Sequence, residues 1–383
     1  MSEQTVAISD NAGPPSRALG TEPPQELMRG PISYALATAC AVYAAWHLYV
    51  LNIAPLETWV FRISHVGGAL ALGFLLSGLS AAEKETTPVV PWARALAVLS
   101  LVGVVVAGAL VGTIAVLTAN GATAADLPGW LLPAFGPIFV ASAGIGIVAA
   151  WLQPPSQQGI RIADWSLALA AIIVAAYFLV ALDALALRLR AGTPFADPSN
   201  MFAAMVGVAL ILEVTRRLAG SALVIIAVVF IAYAFVGPFL PGFLNHSGYT
   251  LTRFFTYVYT DNGILGPTTA VSSTYIMLFI MFAAFLQVTK VGQYFVDFSF
   301  ALAGRARGGP AKVAVFASGL MGTINGTSAG NVVATGSITI PLMKKVGYKP
   351  KTSAAIEATA STGGQIMPPV MGAGAFIMAE ITG

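Results

Sequence analysis

The chain alternates long apolar blocks with short polar punctuation. Blocks at 32–51, 59–80, 93–118, 131–152, 165–187, 199–215, 219–243 and 270–289 are each bounded by Pro, Gly, Asn or charge. Each is close to the ~20 residues a helix needs to cross about 30 Å of hydrocarbon, which predicts about eight crossings. Two further segments are too short or too mixed to span. Residues 249–266 place Tyr249, Phe254, Phe255, Tyr257 and Tyr259 around Arg253 and Asp261, the pattern of an interfacial helix with its aromatics in the headgroup belt. A similar surface helix is expected at 291–303, where Gln293 and Asp297 interrupt an apolar run.

The texture changes beyond residue 304. No charge falls between Lys312 and Lys344, yet the centre of that stretch, TINGTSAGNVVATG at 323–336, is crowded with Gly, Ser, Thr and Asn. Such residues argue against one continuous helix. Arg305, Arg307 and Lys312 stand before it, and Lys344, Lys345, Lys349 and Lys351 after it. If both basic flanks are cytoplasmic, the segment enters and leaves on one side. The expected element is a re-entrant hairpin with arms 311–324 and 329–343 and its tip at Asn325-Gly326-Thr327-Ser328. A second break, Ser361 to Pro369, interrupts the apolar segment 353–380 with a Gly pair and two prolines, which cannot continue a helical hydrogen-bond ladder.

Irregular backbone at membrane depth persists only where protein or a water-filled cavity satisfies its polar groups, so both breaks are site candidates. Broken helices present amides to carboxylates, and carbonyls and hydroxyls to small hard cations. Asn325, Thr327, Ser328 and Asn331 offer oxygens, while Gly326 and Gly330 allow close backbone approach. Close helix packing accounts instead for Gly67, Gly68, Gly103, Gly108 and Gly112. Among intramembrane acids, Asp183 and Glu213 lie near block ends beside Arg188 and Arg216, where interfacial pairing is expected. Glu357 lies one turn before the second break and is the candidate proton or ion relay.

Composition narrows the class. At 57% hydrophobic and 9% charged, with mean hydropathy +0.81, the chain is an all-α polytopic membrane protein. The net charge of +3 resides in short loops, not a patch, which excludes nucleic acid as a partner and leaves the lipid bilayer. Arg29, Lys84, Arg94, Arg161 and the Arg216/Arg217 pair fall on one side when crossings are counted alternately, so that side and the N-terminus are expected to be cytoplasmic. Arg188 and Arg190 break the pattern. Residues 1–30, Pro-rich and acidic, read as a disordered cytoplasmic tail. Cys40 stands alone, and His47, His65 and His246 are far apart in sequence, each expected to be a satisfied or interfacial histidine; no transition-metal site or cofactor is expected. No nucleotide-binding or hydrolase motif is present, so the chain is not expected to be an enzyme.

The run Gly336-Ser337-Ile338-Thr339-Ile340-Pro341, the following Gly347-Tyr348, and Gly363-Gly364-Gln365-Ile366-Met367-Pro368-Pro369 resemble motifs of the large membrane subunit of tripartite ATP-independent periplasmic (TRAP) transporters. The stretch from about Arg216 to Gly383 resembles the TAXI subtype, in which small and large membrane subunits are commonly fused. The resemblance implies a secondary active transporter in the bacterial inner membrane. It would import an organic acid handed over by a TAXI-type periplasmic binding protein, by elevator movement coupled to a cation gradient, Na⁺ or alternatively H⁺. Residues 31–198 would be the small-subunit-like region with a linking helix, and 199–383 the first half of the large subunit's inverted repeat. Asn325, Gly326, Thr327, Ser328, Ser361, Thr362, Gly363 and Gly364 would hold the cation, and Asn331, Thr335, Gln365 and Pro368 the substrate. Sialic-acid members often have Ser-Gly-Ser-Ser where this tip reads Asn-Gly-Thr-Ser. The second repeat of the family is expected as a missing partner half. The alternative expectation is a non-transporting scaffold or degenerate fragment of such a permease.

Overall fold

The computed structural model describes residues 31–81, 91–123, 125–153, 160–184 and 187–383. The expected N-terminal tail and Lys84 lie outside them. Every regular element among the described residues is helical, and these residues divide into two compact units, 31–277 and 278–383. The division falls inside a helix and later than the sequence boundary at 198/199, because residues 199–277 pack with the helices before them.

The first unit contains α1 (Pro31–Asn52), α2 (Thr58–Ala81), α3 (Pro91–Ala119), α4 (Leu131–Leu152), α5 (Ile162–Ala184), α6 (Leu187–Arg190), α7 (Pro198–Ala219), α8 (Ser221–Val236), α9 (Leu251–Val258) and α10 (Pro267–Val271). A π-helical turn, Ser272–Ile276, leads from α10 into α11 (Met277–Val288). The second unit holds α12 (Val291–Ala303), α13 (Gly309–Asn325), α14 (Ser328–Lys345), α15 (Pro350–Thr362) and α16 (Ala373–Thr382).

Seven described segments are long and apolar enough to cross a membrane: the spans in α1 to α5, one at Ser221–Phe239 and one at Pro267–Leu286. Block 199–215 is not one of them. It forms α7, whose buried face carries Ser199, Asn200 and Glu213 among its apolar residues. α7 packs on α2, α4, α5 and α9, so its polar groups are satisfied inside the bundle.

The first unit is locked by a buried charge network. Asp164 on α5 is fully buried and accepts from Arg161 at 2.8 and 3.0 Å and from Arg217 at 2.7 Å. Glu213 is 3% exposed and accepts from Arg217 at 2.7 Å, Arg216 at 2.8 Å and the indole of Trp151 at 2.8 Å. Arg161 also donates to the Ala150 and Gln153 carbonyls, covering the C-terminal end of α4 where the helix dipole favours a cation. Glu213 is paired as the sequence suggests, but inside the bundle. The side chain of Asp183 lies outside the described residues.

Arg188, an exception to the charge pattern, pairs at 2.8 Å with Glu57 in the α1–α2 loop and lies 5.3 Å from the Trp59 ring. Burial works against the Glu57 charge, but the Trp59 and Val60 amides and Arg188 outweigh it and hold the carboxyl below its usual range.

The headgroup-belt expectation is corrected at two aromatics. Phe255 and Tyr259 lie one turn apart on the face that α9 turns toward the core; Tyr259 is 3% exposed and stacks on Phe178 at 4.5 Å. Tyr249 and Tyr257 are exposed, and Phe254 packs edge-on against Phe235. Gly67, Gly68, Gly103 and Gly108 sit at close helix contacts, whereas Gly112 faces open space and is no packing position.

Asp164→Ala is expected to lower stability by about 3–5 kcal/mol, since it leaves the largely buried Arg161 without its carboxylate partner and Arg217 with Glu213 alone. Glu57→Gln, at an exposed pair, should cost under about 1 kcal/mol, and that contribution fades as pH falls through the lowered carboxyl titration. Denaturant unfolding in detergent at neutral and acidic pH measures both.

Candidate functional site

The second unit carries the two breaks. Pro310 opens α13 at a position where its missing amide costs nothing. The helix ends because Gly326 adopts a left-handed conformation with φ 56°, and a Cβ there would lie 2.3 Å from the Met371 carbonyl oxygen. Only glycine fits both constraints. Thr327 then caps α14, its hydroxyl accepting from the Gly330 amide at 3.2 Å. The hairpin is therefore two helices, Gly309–Asn325 and Ser328–Lys345, meeting at a two-residue tip.

The second break is a short 3-10 turn, Gly363–Gln365, followed by irregular backbone to Gly372 that includes a cis Pro368-Pro369 bond. The Gly372 amide returns to the Gln365 carbonyl at 2.6 Å, so the unwound segment closes on itself. The two breaks interlock. A Cβ on Gly322 would lie 2.5 Å from the Gly364 Cα, and one on Gly364 would lie 3.0 Å from Asn331 Nδ2. Across the same contact, Gln365 donates to the Ser328 hydroxyl at 2.8 Å.

Beneath this contact lies the chemistry. Glu357 on α15 is fully buried. Its carboxylate accepts from Ser318 at 2.8 Å, from Ser361 at 3.2 Å, and from Thr335 and Thr339. Among the described residues no cation pairs with it. Each hydroxyl has one hydrogen to give. Thr335 also lies 2.9 Å from the Asn331 carbonyl, and Thr339 lies 3.1 Å from the Thr335 carbonyl. Thr335 and Thr339 therefore each have two acceptors within reach for one hydrogen, the Glu357 carboxylate and a carbonyl of their own helix. Asn331, also fully buried, donates from Nδ2 to the Ser318 carbonyl at 2.8 Å, and its Oδ1 has no hydrogen-bond donor. Oxygen donors of this kind suit a proton or a hard cation, not a soft transition metal.

The candidate residues separate into two levels. Gly326, Ser328, Gly364 and Gln365 build the contact between the breaks, Asn325 and Thr327 pack within the hairpin around Gly330, and Asn331, Thr335 and Ser361 lie with Glu357 below. Thr335, read as substrate-binding, belongs to this closed cluster, its hydroxyl committed to Glu357. Thr362 is exposed and bonds back to the Ala358 carbonyl, so it stands outside both levels. Gly363 has open space around it, and Pro368 is exposed. Ser318 and Thr339, which bond to Glu357, were not among the sequence candidates; spacing gives away Thr339, while Ser318 stands alone on α13. Asn331, Thr335 and Thr339 recur every fourth residue on α14, as do Ser353, Glu357 and Ser361 on α15, and all six are fully buried.

Residues 206–383 match the family model of the tripartite ATP-independent periplasmic transporter, DctM component. It is a transporter family. The match contains the whole hairpin, the broken helix and the Glu357 cluster. The C4-dicarboxylate TRAP transporter large permease protein DctM of Pseudomonas aeruginosa is 37% identical over 94 residues, 24% of this chain and 22% of that protein. Its namesake in Vibrio cholerae is 35% identical over 94 residues, 24% of this chain and 21% of that protein. An uncharacterized protein of Salmonella typhimurium, YgiK, is 31% identical over 94 residues, 24% of this chain and 22% of that protein. The chain thus aligns with about a fifth of the length of these curated relatives. No solved structure matches it.

Gly322→Ala and Gly364→Ala should each lower stability by about 1–3 kcal/mol by forcing the breaks apart, while Gly363→Ala should stay within about 0.5 kcal/mol of the parent. Thermal unfolding of the three variants in one detergent checks the ranking.

Proposed function

We propose that this chain is a membrane permease component of a secondary active transporter that imports an organic acid handed over by a periplasmic substrate-binding protein of the TAXI type. A cation gradient, Na⁺ with H⁺ as the alternative, drives it, and the hairpin-bearing unit moves as an elevator. The observation that supports this reading is the interlock of the two breaks over a buried carboxyl held by four hydroxyls. A permanent structural carboxylate in an apolar environment is costly unless paired with a cation. A carboxyl that must gain and lose a charge partner is instead held by rotatable hydroxyls.

Several finer assignments rest on the same reading. Residues 31–198 act as a fused small-subunit-like region, the protein lies in the bacterial inner membrane with its N-terminus in the cytoplasm, and a second inverted half completes the substrate site. The names of the curated relatives point to C4-dicarboxylates as the substrate class. In this scheme the tip, Asn325 to Ser328, and the turn Ser361 to Gly364 meet the cation, while Gln365 and Pro368 face the substrate.

Uptake of radiolabelled succinate by cells expressing the complete transporter with its binding protein tests the proposal. A Na⁺ gradient should drive uptake, and Asn325→Ala with Ser328→Ala, or Glu357→Gln alone, should reduce it by about tenfold or more, the equivalent of ~1.4 kcal/mol, while membrane insertion is retained. Unchanged uptake in the variants removes the site assignment. No uptake by the parent of any organic acid under either a Na⁺ or a pH gradient supports the scaffold reading instead.

A further inference from the structure

Two imidazoles meet inside the first unit, on segments long and apolar enough to cross a membrane. His47 on α1 is fully buried and His65 on α2 is 7% exposed. Although far apart in sequence, the rings are hydrogen-bonded, with His47 Nε2 lying 2.8 Å from His65 Nδ1. Each end of the pair has a defined partner. His47 Nδ1 faces the Tyr43 carbonyl at 2.9 Å, and His65 Nε2 faces the Ser272 hydroxyl at 3.1 Å. The Tyr43 hydroxyl donates to the His65 carbonyl at 2.7 Å, and its oxygen stands 2.9 Å from His65 Nδ1.

Counting hydrogens along this chain leaves few arrangements. A carbonyl only accepts, so His47 Nδ1 carries a hydrogen in every state. With both rings neutral, His47 Nε2 is bare and accepts, so His65 Nδ1 carries the hydrogen between them. His65 Nε2 is then bare and accepts from Ser272. When one proton adds at His65 Nε2, Ser272 turns from donor to acceptor. The N–H bond at His65 Nδ1 breaks as one forms at His47 Nε2, leaving His65 neutral and His47 an imidazolium. The His65–Ser272 and His47–His65 hydrogen bonds survive reversed in direction, and the bond from His47 Nδ1 to the Tyr43 carbonyl is unchanged. A second proton would set two N–H groups against each other across 2.8 Å.

We propose that His47 and His65 form one binding site for a single proton, entered from the Ser272 end. Two further observations point the same way. The rings of Tyr43, Trp46 and Phe61 surround His47 at centroid distances of 4.5, 4.8 and 5.6 Å, which closes that end of the pair to water. Ser272 is half-buried and opens the π-helical turn, so the exchange end lies at a locally widened helix while the His47 end is sealed. The other titratable groups on these elements are Tyr34, Cys40 and Tyr49 on α1, Arg62 on α2 and Tyr275 on the π turn; no carboxylate is among them. Arg62 is engaged with the Leu265 carbonyl at 2.8 Å.

The chain has three histidines, so a ¹⁵N-histidine-labelled His246→Gln variant in lipid reports on the pair alone. Between about pH 8 and pH 4 the two rings together should take up one proton. A through-hydrogen-bond coupling between His47 Nε2 and His65 Nδ1 should persist at both ends of the titration. His47→Gln should weaken proton uptake at His65 by about tenfold or more. Uptake of two protons, uptake of none, or absence of the coupling overturns the proposal, and the coupling is read on the unmodified pair, independently of how the His47 variant folds.

Discussion

The second unit depends on a single buried carboxyl. Glu357 is reached by hydroxyls from α13, α14 and its own α15, so three helices share one charge. Apart from it, the side-chain hydrogen bonds between the hairpin and the broken helix among the described residues are a long one from Ser361 to Ser318 and one from Gln365 to Ser328. Its hydroxyl partners each have an alternative acceptor on their own helix or on a neighbouring hydroxyl. The interaction that joins the helices is therefore one that can be rewired without unfolding them. A fixed salt bridge could not do this.

The first unit solves the same physical problem differently. Its buried acids, Asp164 and Glu213, are neutralised by Arg161, Arg217 and the partly exposed Arg216 through direct ion pairs of 2.7–2.8 Å. Such a network resists change, because removing any partner strands a charge at low dielectric. The first unit thus holds its buried acids by ion pairs, and the second holds Glu357 by hydroxyls.

Much of this was legible in the chain itself. The break positions followed from Gly326, from the Gly363-Gly364 pair and from Pro368-Pro369, because local backbone chemistry forces them. Glu357 was identifiable by its place one turn before a break. What escaped was whatever depended on faces, not blocks. Thr339 and Ser318 hide in apolar runs; the four-residue spacing on α14 reveals Thr339, but nothing on α13 marks Ser318. Thr335 was assigned to substrate by its neighbourhood in sequence, yet helical geometry turns it inward. Phe255 and Tyr259 were given to the membrane surface by composition, while one helical turn sets both against the core. His47 and His65 were separated by a loop in sequence and joined by antiparallel packing in space, which no spacing rule within one helix detects.

The central claim is that the interlocked breaks and the Glu357 cluster form a cation-binding unit. Thermal unfolding of the purified protein in NaCl against choline chloride at equal ionic strength tests it most directly, since a ligand that binds the folded state raises its stability by mass action. The account predicts a Na⁺-specific rise in Tm for the parent and none for Glu357→Gln. Equal melting in both salts, or the same Na⁺ shift in the variant, would contradict it.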